Sequence, residues 1–100
     1  MSRHDLVIDN ATIIDGLGGP GRTGGVAVRD GRITAVGRDL GDARERVDAH
    51  GLVLAPGIVD IHTHYDAQLT WDPFATPSTA LGVTTVVIGN CGFTIAPCRP

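Results

Sequence analysis

Residues 56–66 read Pro-Gly-Ile-Val-Asp-Ile-His-Thr-His-Tyr-Asp, and the rest of the chain is organised around this stretch. It opens with a Pro-Gly turn, and the short β-branched run 58–61 predicts a buried strand. Because successive side chains of a strand point to opposite faces, we expect His62 and His64 to face the same way. Two imidazoles on one side of a strand end can bind one metal ion. A bare His-x-His pair is otherwise more often just two polar residues at a strand terminus.

A second strand with a thiol just beyond its end follows this stretch. Residues 76–82 predict a short helix, with Thr76 as its cap and Gly82 at its end. Residues 83–88 are β-branched and apolar on both faces, as in a buried parallel strand. In a strand–helix–strand unit both strands end at one edge of the sheet, so Cys91 is expected close to the two histidines. Its sulfur could bind the same ion, although a free cysteine is more often a buried, inert residue.

The residues before this stretch predict strands and no helix. The Asp30-Gly31 pair lies between two alternating apolar runs, which is a strong signal for a β-hairpin. The Asp9-Asn10 pair predicts a turn between two strands, and the glycine-rich segment 16–25 predicts a loop. The strand candidates are residues 5–8, 11–14, 26–29, 32–36, 46–49 and 52–55.

Composition excludes several classes of function. The net charge of −3 provides no basic surface for a nucleic acid. No apolar run is long enough for a membrane span or a secretory signal, so we expect no membrane partner and a cytoplasmic location. In that compartment Cys91 and Cys98 are more often thiols or metal ligands than a disulfide. All eight cationic side chains are arginine, which excludes a carboxylated lysine ligand from these residues.

Two motifs resemble those of a known enzyme group. Residues 56–66 resemble the first barrel strand of the amidohydrolase superfamily, in which the His-x-His pair binds the catalytic metal. Residues 82–92, Gly-Val-Thr-Thr-Val-Val-Ile-Gly-Asn-Cys-Gly, resemble the corresponding strand of the N-acyl-D-amino-acid deacylases, or D-aminoacylases. In that branch the cysteine is a metal ligand. The resemblance therefore implies a zinc site formed by His62, His64 and Cys91, and it implies no role for Cys98.

The same resemblance implies a fold class, a metal-dependent (β/α)₈ TIM-barrel hydrolase with a small all-β domain. Residues 1–55 would be the N-terminal part of the β-domain, and residues 56–100 would begin the barrel with its first βαβ step. Because such a barrel needs about 250 residues, we expect this chain to be the N-terminal piece of a longer enzyme, inactive alone. The family places the general-base aspartate and two further histidine ligands on later strands. Asp60 is expected to orient a ligand histidine, and Asp66 to do the same or to structure the loop.

The implied reaction is zinc-dependent hydrolysis of the amide bond of N-acyl-D-amino acids, which are small-molecule substrates. Zinc would polarise the scissile carbonyl, and a carboxylate would act as general base. The alternative enzyme is a cyclic amidase resembling dihydroorotase or hydantoinase, and the Cys91 motif argues against it. The alternative from another class is a catalytically silent β-module that merely retains the His-x-His motif.

Overall fold

The structure is a computed structural model that describes residues 3–90. The chain forms two compact units, one ending at Pro56 and the other beginning at Gly57. Within the described residues no helix is long and apolar enough to cross a membrane.

The described part of the first unit is one mixed five-stranded sheet, formed by β1 (His4–Ile13), β2 (Arg22–Arg29), β3 (Arg32–Gly37), β4 (Ala43–Asp48) and β5 (Val53–Leu54). The strand order is β3-β2-β1-β4, with β5 also paired to β1. Strand β2 is antiparallel to β1 and β3 is antiparallel to β2, whereas β4 and β5 run parallel to β1. The small core of this unit consists of residues that are almost without exposed surface: Val7, Ala11, Ile13, Val26, Ala27 and Ala49.

The hairpin between β2 and β3 is confirmed. Asp30 and Gly31 both have a positive φ, of 50° and 69°. A two-residue hairpin turn of this kind needs a positive φ at both positions, which Asp tolerates and Gly adopts freely. The Asp30 amide also donates to Asp5 Oδ2 at 2.8 Å, so the turn is bonded back to the start of β1.

Two predictions for the first unit are wrong. The Asp9-Asn10 pair does not separate two strands, because β1 continues through it as a bulge between Ile8 and Ala11 with Asn10 at a φ of 59°. Strand β2 pairs with β1 on both sides of this pair, through Ile8 and again from Ala11, so the chain continues as one strand. The predicted loop 16–25 ends early, since β2 begins at Arg22. Gly25 lies inside β2 at a position that accepts only glycine, because a Cβ there would overlap the Ile8 carbonyl oxygen.

Up to Asn90, the last described residue, the second unit contains two strands and two single-turn helices. Strand β6 (Ile58–Asp60) pairs in parallel with β7 (Val83–Val86), and between them lie α1 (Tyr65–Gln68) and a 3₁₀ helix (Ser78–Leu81). Both strands were predicted, although β7 is shorter than the segment 83–88. Helix α1 was not predicted from the sequence.

The predicted helix over residues 76–82 is present only as the 3₁₀ turn. It ends as predicted at Gly82, which has a φ of 87°. Thr76 does not cap it, because Pro77 is the residue before the first turn and no side chain caps it. The Thr76 amide instead donates to Asp72 Oδ2 at 2.8 Å, which holds Thr76 in the preceding turn.

The two strands of the second unit are poorly enclosed. Ile58 and Val59 are more than half exposed, and no residue of β7 is buried. A two-stranded sheet cannot cover its own apolar faces, so these side chains have no partner surface within the described residues.

Candidate metal site

His62 and His64 lie side by side immediately after β6. Their ring centroids are 5.8 Å apart, and the ring planes are inclined by 39°. Both side chains are exposed, and His64 directly precedes the first residue of α1. The two imidazoles lie close together as the sequence predicts, although both residues follow the end of β6 and are not part of the strand.

The separation of the two rings suits a shared zinc ion. Zinc lies about 2.0–2.1 Å from an imidazole nitrogen, which puts the ion about 3.2 Å from the ring centroid, so the centroids of two rings that share one ion are at most about 6.4 Å apart. The observed 5.8 Å is within that limit. Two nitrogens do not complete a tetrahedral site, however, and residues 3–90 contain no cluster of three or more candidate metal ligands. A zinc ion held by these two rings would therefore need a further donor.

Asp60 acts on the main chain of the His62 residue. Its Oδ1 accepts a hydrogen bond of 3.1 Å from the His62 backbone amide. Asp60 is the last residue of β6, so this bond shapes the point where the chain leaves the strand. Asp60 thus fixes the backbone from which the His62 side chain extends, and this hydrogen bond does not involve the imidazole ring.

Asp66 accepts a hydrogen bond from the segment that follows β7. Its Oδ1 accepts a hydrogen bond of 3.1 Å from the Gly89 amide. Its Oδ2 is buried and receives no donor from the described part of the chain. The predicted loop-structuring role of Asp66 therefore has a concrete contact, which joins helix α1 to the segment after β7.

Cys91 and Cys98 lie outside the described residues. The residue before Cys91 is nevertheless close to the histidine segment, because Asn90 Nδ2 donates to the Ile61 carbonyl at 2.6 Å. Ile61 directly precedes His62. Asn90, which precedes Cys91 in the sequence, is therefore hydrogen-bonded to the residue that precedes His62.

An open concavity of about 240 Å³ surrounds the histidines. The sequence missed two of its residues, Gln68 and Ser78, because nothing local marks them and only the turns of the chain bring them here. The full lining is Asp60, His62, Thr63, His64, Tyr65, Gln68 and Ser78. A larger concavity of about 440 Å³ in the first unit surrounds the Arg46–Asp9 ion pair, and its described lining has no imidazole.

Three aromatic residues follow the histidines, and they differ in their environment. Tyr65 is 7% exposed and lines the concavity, whereas Trp71 and Phe74 are more than 70% exposed and do not line it. The Tyr65 hydroxyl bonds to the Ala75 carbonyl at 3.0 Å and to Ser78 Oγ. Tyr65 therefore ties the wall of the concavity to the 3₁₀ helix.

Asp72 organises the turn that leads to the 3₁₀ helix. Its carboxylate accepts hydrogen bonds from Gln68 Nε2 (3.1 Å) and from the amides of Phe74 (3.1 Å) and Thr76 (2.8 Å). The Gln68 bond first, and the Thr76 amide next, lower the pKa of Asp72 below its ordinary value of 3.8. Gln68 also donates to the Thr76 carbonyl at 2.8 Å, so it is held in the wall of the concavity by two partners.

Comparison of the chain with known proteins identifies its family. Residues 45–98 match the amidohydrolase family. The chain is 52% identical over 98 residues to an N-acyl-D-aspartate deacylase of Alcaligenes xylosoxydans xylosoxydans, covering 96% of this chain and 20% of the relative. It is 43% identical over 88 residues to an allantoinase of Escherichia coli O1:K1, covering 83% and 19%. The chain thus spans about a fifth of the length of the curated relatives it matches.

A solved structure agrees with the sequence matches. The crystal structure of N-acyl-D-glutamate deacylase from Bordetella bronchiseptica, complexed with zinc and a phosphonate inhibitor, superposes with a TM-score of 0.89 and 42% identity. It covers 99% of this chain and 21% of that protein. The predicted resemblance to the deacylase branch is confirmed by these similarities. Because the family match extends over more than half of its residues, the chain belongs to the amidohydrolase family.

Proposed function

We propose that this chain is the N-terminal part of a zinc-dependent amidohydrolase that cleaves the amide bond of N-acyl-D-amino acids. The observation that carries the proposal is the pair of imidazoles, 5.8 Å apart, at the end of β6 in a chain 52% identical to an N-acyl-D-aspartate deacylase. The substrate would be a small molecule, and the cytoplasmic location stays a prediction.

The zinc would be held by His62, His64 and Cys91. The support is the suitable spacing of the two rings and the bond that brings Asn90 next to the histidine segment. Imidazole nitrogen and thiolate sulfur are donors that zinc accepts readily. When bound, zinc polarises a carbonyl group and lowers the pKa of water. The zinc in the structure of the Bordetella relative is consistent with this choice of metal.

The domain organisation is part of the same proposal. Residues 1–55 would be the N-terminal part of a small β-domain, and residues 56–100 would begin a (β/α)₈ barrel. The parallel pairing of β6 with β7 supports their assignment as the first two barrel strands. In such a barrel the active site lies where the strands end, which is where both histidines are found. The exposed faces of β6 and β7 would then be covered by further barrel elements.

The residues of this chain would hold the zinc and shape its surroundings without supplying the general base. Asp60 and Asp66 each have one carboxylate oxygen bonded to a backbone amide, of His62 and of Gly89. A carboxylate engaged in this way is suited to fixing the main chain and less suited to moving a proton. The catalytic aspartate would therefore come from another part of the enzyme, as the resemblance implies.

Replacing Cys91 with Ala in the full-length enzyme tests the proposal. The change should remove tightly bound zinc and nearly all hydrolysis of N-acyl-D-aspartate and N-acyl-D-glutamate, because the ion loses its thiolate. Cys98→Ala is the matched control and should alter neither. Zinc content is measured by elemental analysis and hydrolysis by release of the free amino acid. Full zinc occupancy with normal turnover in Cys91→Ala would contradict the proposal.

A cyclic amidase is the second candidate, and the 43% identity with an allantoinase favours it. Assays of the wild-type full-length enzyme with allantoin and with linear N-acyl-D-amino acids distinguish the two candidates. Turnover of allantoin alone would move the cyclic-amidase function ahead. Zinc binding without turnover of either substrate would support a catalytically silent module.

A further inference from the structure

The wall of the concavity around the histidines includes the carboxamide of Gln68. Its Nε2 atom donates to Asp72 Oδ2 at 3.1 Å and to the Thr76 carbonyl at 2.8 Å. An ionised carboxylate and a carbonyl group can only accept hydrogen bonds, so the nitrogen has to be the atom that faces them. The orientation of the carboxamide is therefore fixed, and both protons of Nε2 are used.

The oxygen of the same carboxamide has no such partner. Within residues 3–90 no group donates a hydrogen bond to Gln68 Oε1. Gln68 is half-buried, yet it is not among the described residues that have a buried side-chain atom without a partner, so Oε1 is accessible to solvent. Gln68 can thus offer an acceptor to a bound molecule, and it has no donor left to offer.

The other polar side chains of the wall have also used their protons. Thr63 Oγ1 donates to the Val87 carbonyl at 2.8 Å, and the Tyr65 hydroxyl donates to a backbone carbonyl at 3.0 Å. Ser78 must then supply the proton of the bond between its own hydroxyl and that of Tyr65. Asp60 has no proton to give when it is ionised. Apart from the two imidazoles, the side chains of the described wall therefore present acceptors only.

Gln68 lies one helical turn after the second histidine. His64 is the residue before α1, and Gln68 is the last residue of that helix. Residues four apart on a helix lie on the same face, with Cβ atoms about 5–6 Å apart. Both side chains line the same concavity. The unused acceptor is therefore carried close to a residue that would hold the metal.

We propose that Gln68 Oε1 accepts a hydrogen bond from the N–H group of the scissile amide, which makes Gln68 a specificity-determining residue for amide substrates. This inference rests on the proposed function, in which a metal at the histidines polarises the carbonyl group of that amide. The amide nitrogen is bonded to the carbonyl carbon at about 1.33 Å, so an acceptor for its N–H has to lie near the metal ligands. A wall of acceptors suits an N–H group and does not suit a substrate carboxylate.

The test compares two substrates of the full-length enzyme that differ in one group. N-acetyl-D-aspartate contains the amide N–H, whereas its ester counterpart, O-acetyl-(R)-malate, has an oxygen at that position and no donor. The measured quantity is the ratio of kcat/KM for the amide to kcat/KM for the ester. An ester that binds without being cleaved is compared through its inhibition constant. Because general damage to the site lowers both values, a change in the ratio reports the contact with the N–H group.

Two variants remove the acceptor, and they differ in whether the turn keeps its donor. Gln68→Lys can still donate to the carboxylate of Asp72, whereas Gln68→Met cannot. Thr79→Val is the control, because Thr79 lies next to Ser78 in the 3₁₀ helix but does not line the concavity. The Thr79 hydroxyl donates to the Phe74 carbonyl at 2.9 Å, so the control also loses one hydrogen bond.

We expect the ratio to fall about 2- to 13-fold in both Gln68 variants, which is the effect of losing one hydrogen bond. The fall should come from the amide, since the ester has no N–H group that could contact Oε1. Thr79→Val should keep the wild-type ratio.

An unchanged ratio in Gln68→Lys would overturn the proposal even if Gln68→Met lowered the ratio, since the effect would then come from the loosened turn. An equal fall in Thr79→Val would overturn it as well, because the effect would not be specific to the acceptor. A wild-type enzyme that cleaves no N-acetyl-D-amino acid would instead refute the proposed function, and the contact with Gln68 would fail with it. That outcome is visible before any variant is made.

Discussion

Replacing Tyr65 with Phe should loosen the segment between α1 and the 3₁₀ helix while leaving its apolar packing intact. Tyr65 is 7% exposed, and its hydroxyl bonds to the Ala75 carbonyl and to Ser78 Oγ. A carbonyl oxygen can only accept, so the phenol donates its single proton to Ala75 and accepts one from Ser78. Phenylalanine keeps the buried ring and loses both hydrogen bonds.

The magnitude follows from these two bonds. Each contributes about 0.5–1.5 kcal/mol net, so opening of the segment should become about 1–3 kcal/mol easier. Since about 1.4 kcal/mol corresponds to a factor of ten, the open population should rise roughly 5- to 150-fold. The Ser78→Ala variant loses only the bond donated to Tyr65, so its change should be the smaller of the two.

Native-state hydrogen exchange of the full-length enzyme measures this opening directly. Peptides that cover residues 65–81 should exchange faster in Tyr65→Phe by the stated factor, and less so in Ser78→Ala. Peptides from β2 and β3 are the internal control and should exchange at the wild-type rate. Unchanged exchange at residues 65–81, or the same acceleration in β2 and β3, would refute the reasoning.

Two further changes probe the second unit. The pKa of Asp72 lies below its ordinary value of 3.8, chiefly because Gln68 donates to the carboxylate. The ionised carboxylate therefore stabilises its turn fully above pH 3.8, and this stabilisation is lost as the pH falls through the lowered pKa. Amide exchange at residues 65–81, corrected for the intrinsic rate, should therefore accelerate on acidification, and Asp72→Asn should remove this dependence; an equally steep profile in the variant would contradict it. Gly57→Ala should lower stability by about 1–3 kcal/mol, because the new Cβ would overlap the Thr84 side chain. Gly19→Ala is the matched control in open space, and equal thermal midpoints for the two variants would show that the predicted overlap is relieved.

The elements that the sequence determined are those whose signal is local. The hairpin follows from Asp30-Gly31, because two adjacent residues supply the backbone angles that the turn needs. The proximity of His62 and His64 was predicted from their spacing of two residues at a strand end, which is a local feature, although both lie beyond the last residue of β6. The family could be inferred for the same reason, since each motif is a contiguous stretch.

The tertiary structure decided whatever depends on residues distant in the sequence. The turn signal at Asp9-Asn10 was overridden because β2 pairs with β1 on both sides of it, which carries β1 through as a bulge. Gly25 lies in a strand and not in the predicted loop, at a position where the Ile8 carbonyl leaves no space for a side chain. The hydrogen bonds of Thr63, Asp66 and Asn90 join residues 23 to 29 positions apart, so no local pattern could reveal them. These contacts exist only once β6 and β7 lie side by side, since parallel pairing brings the ends of two separate segments to one edge.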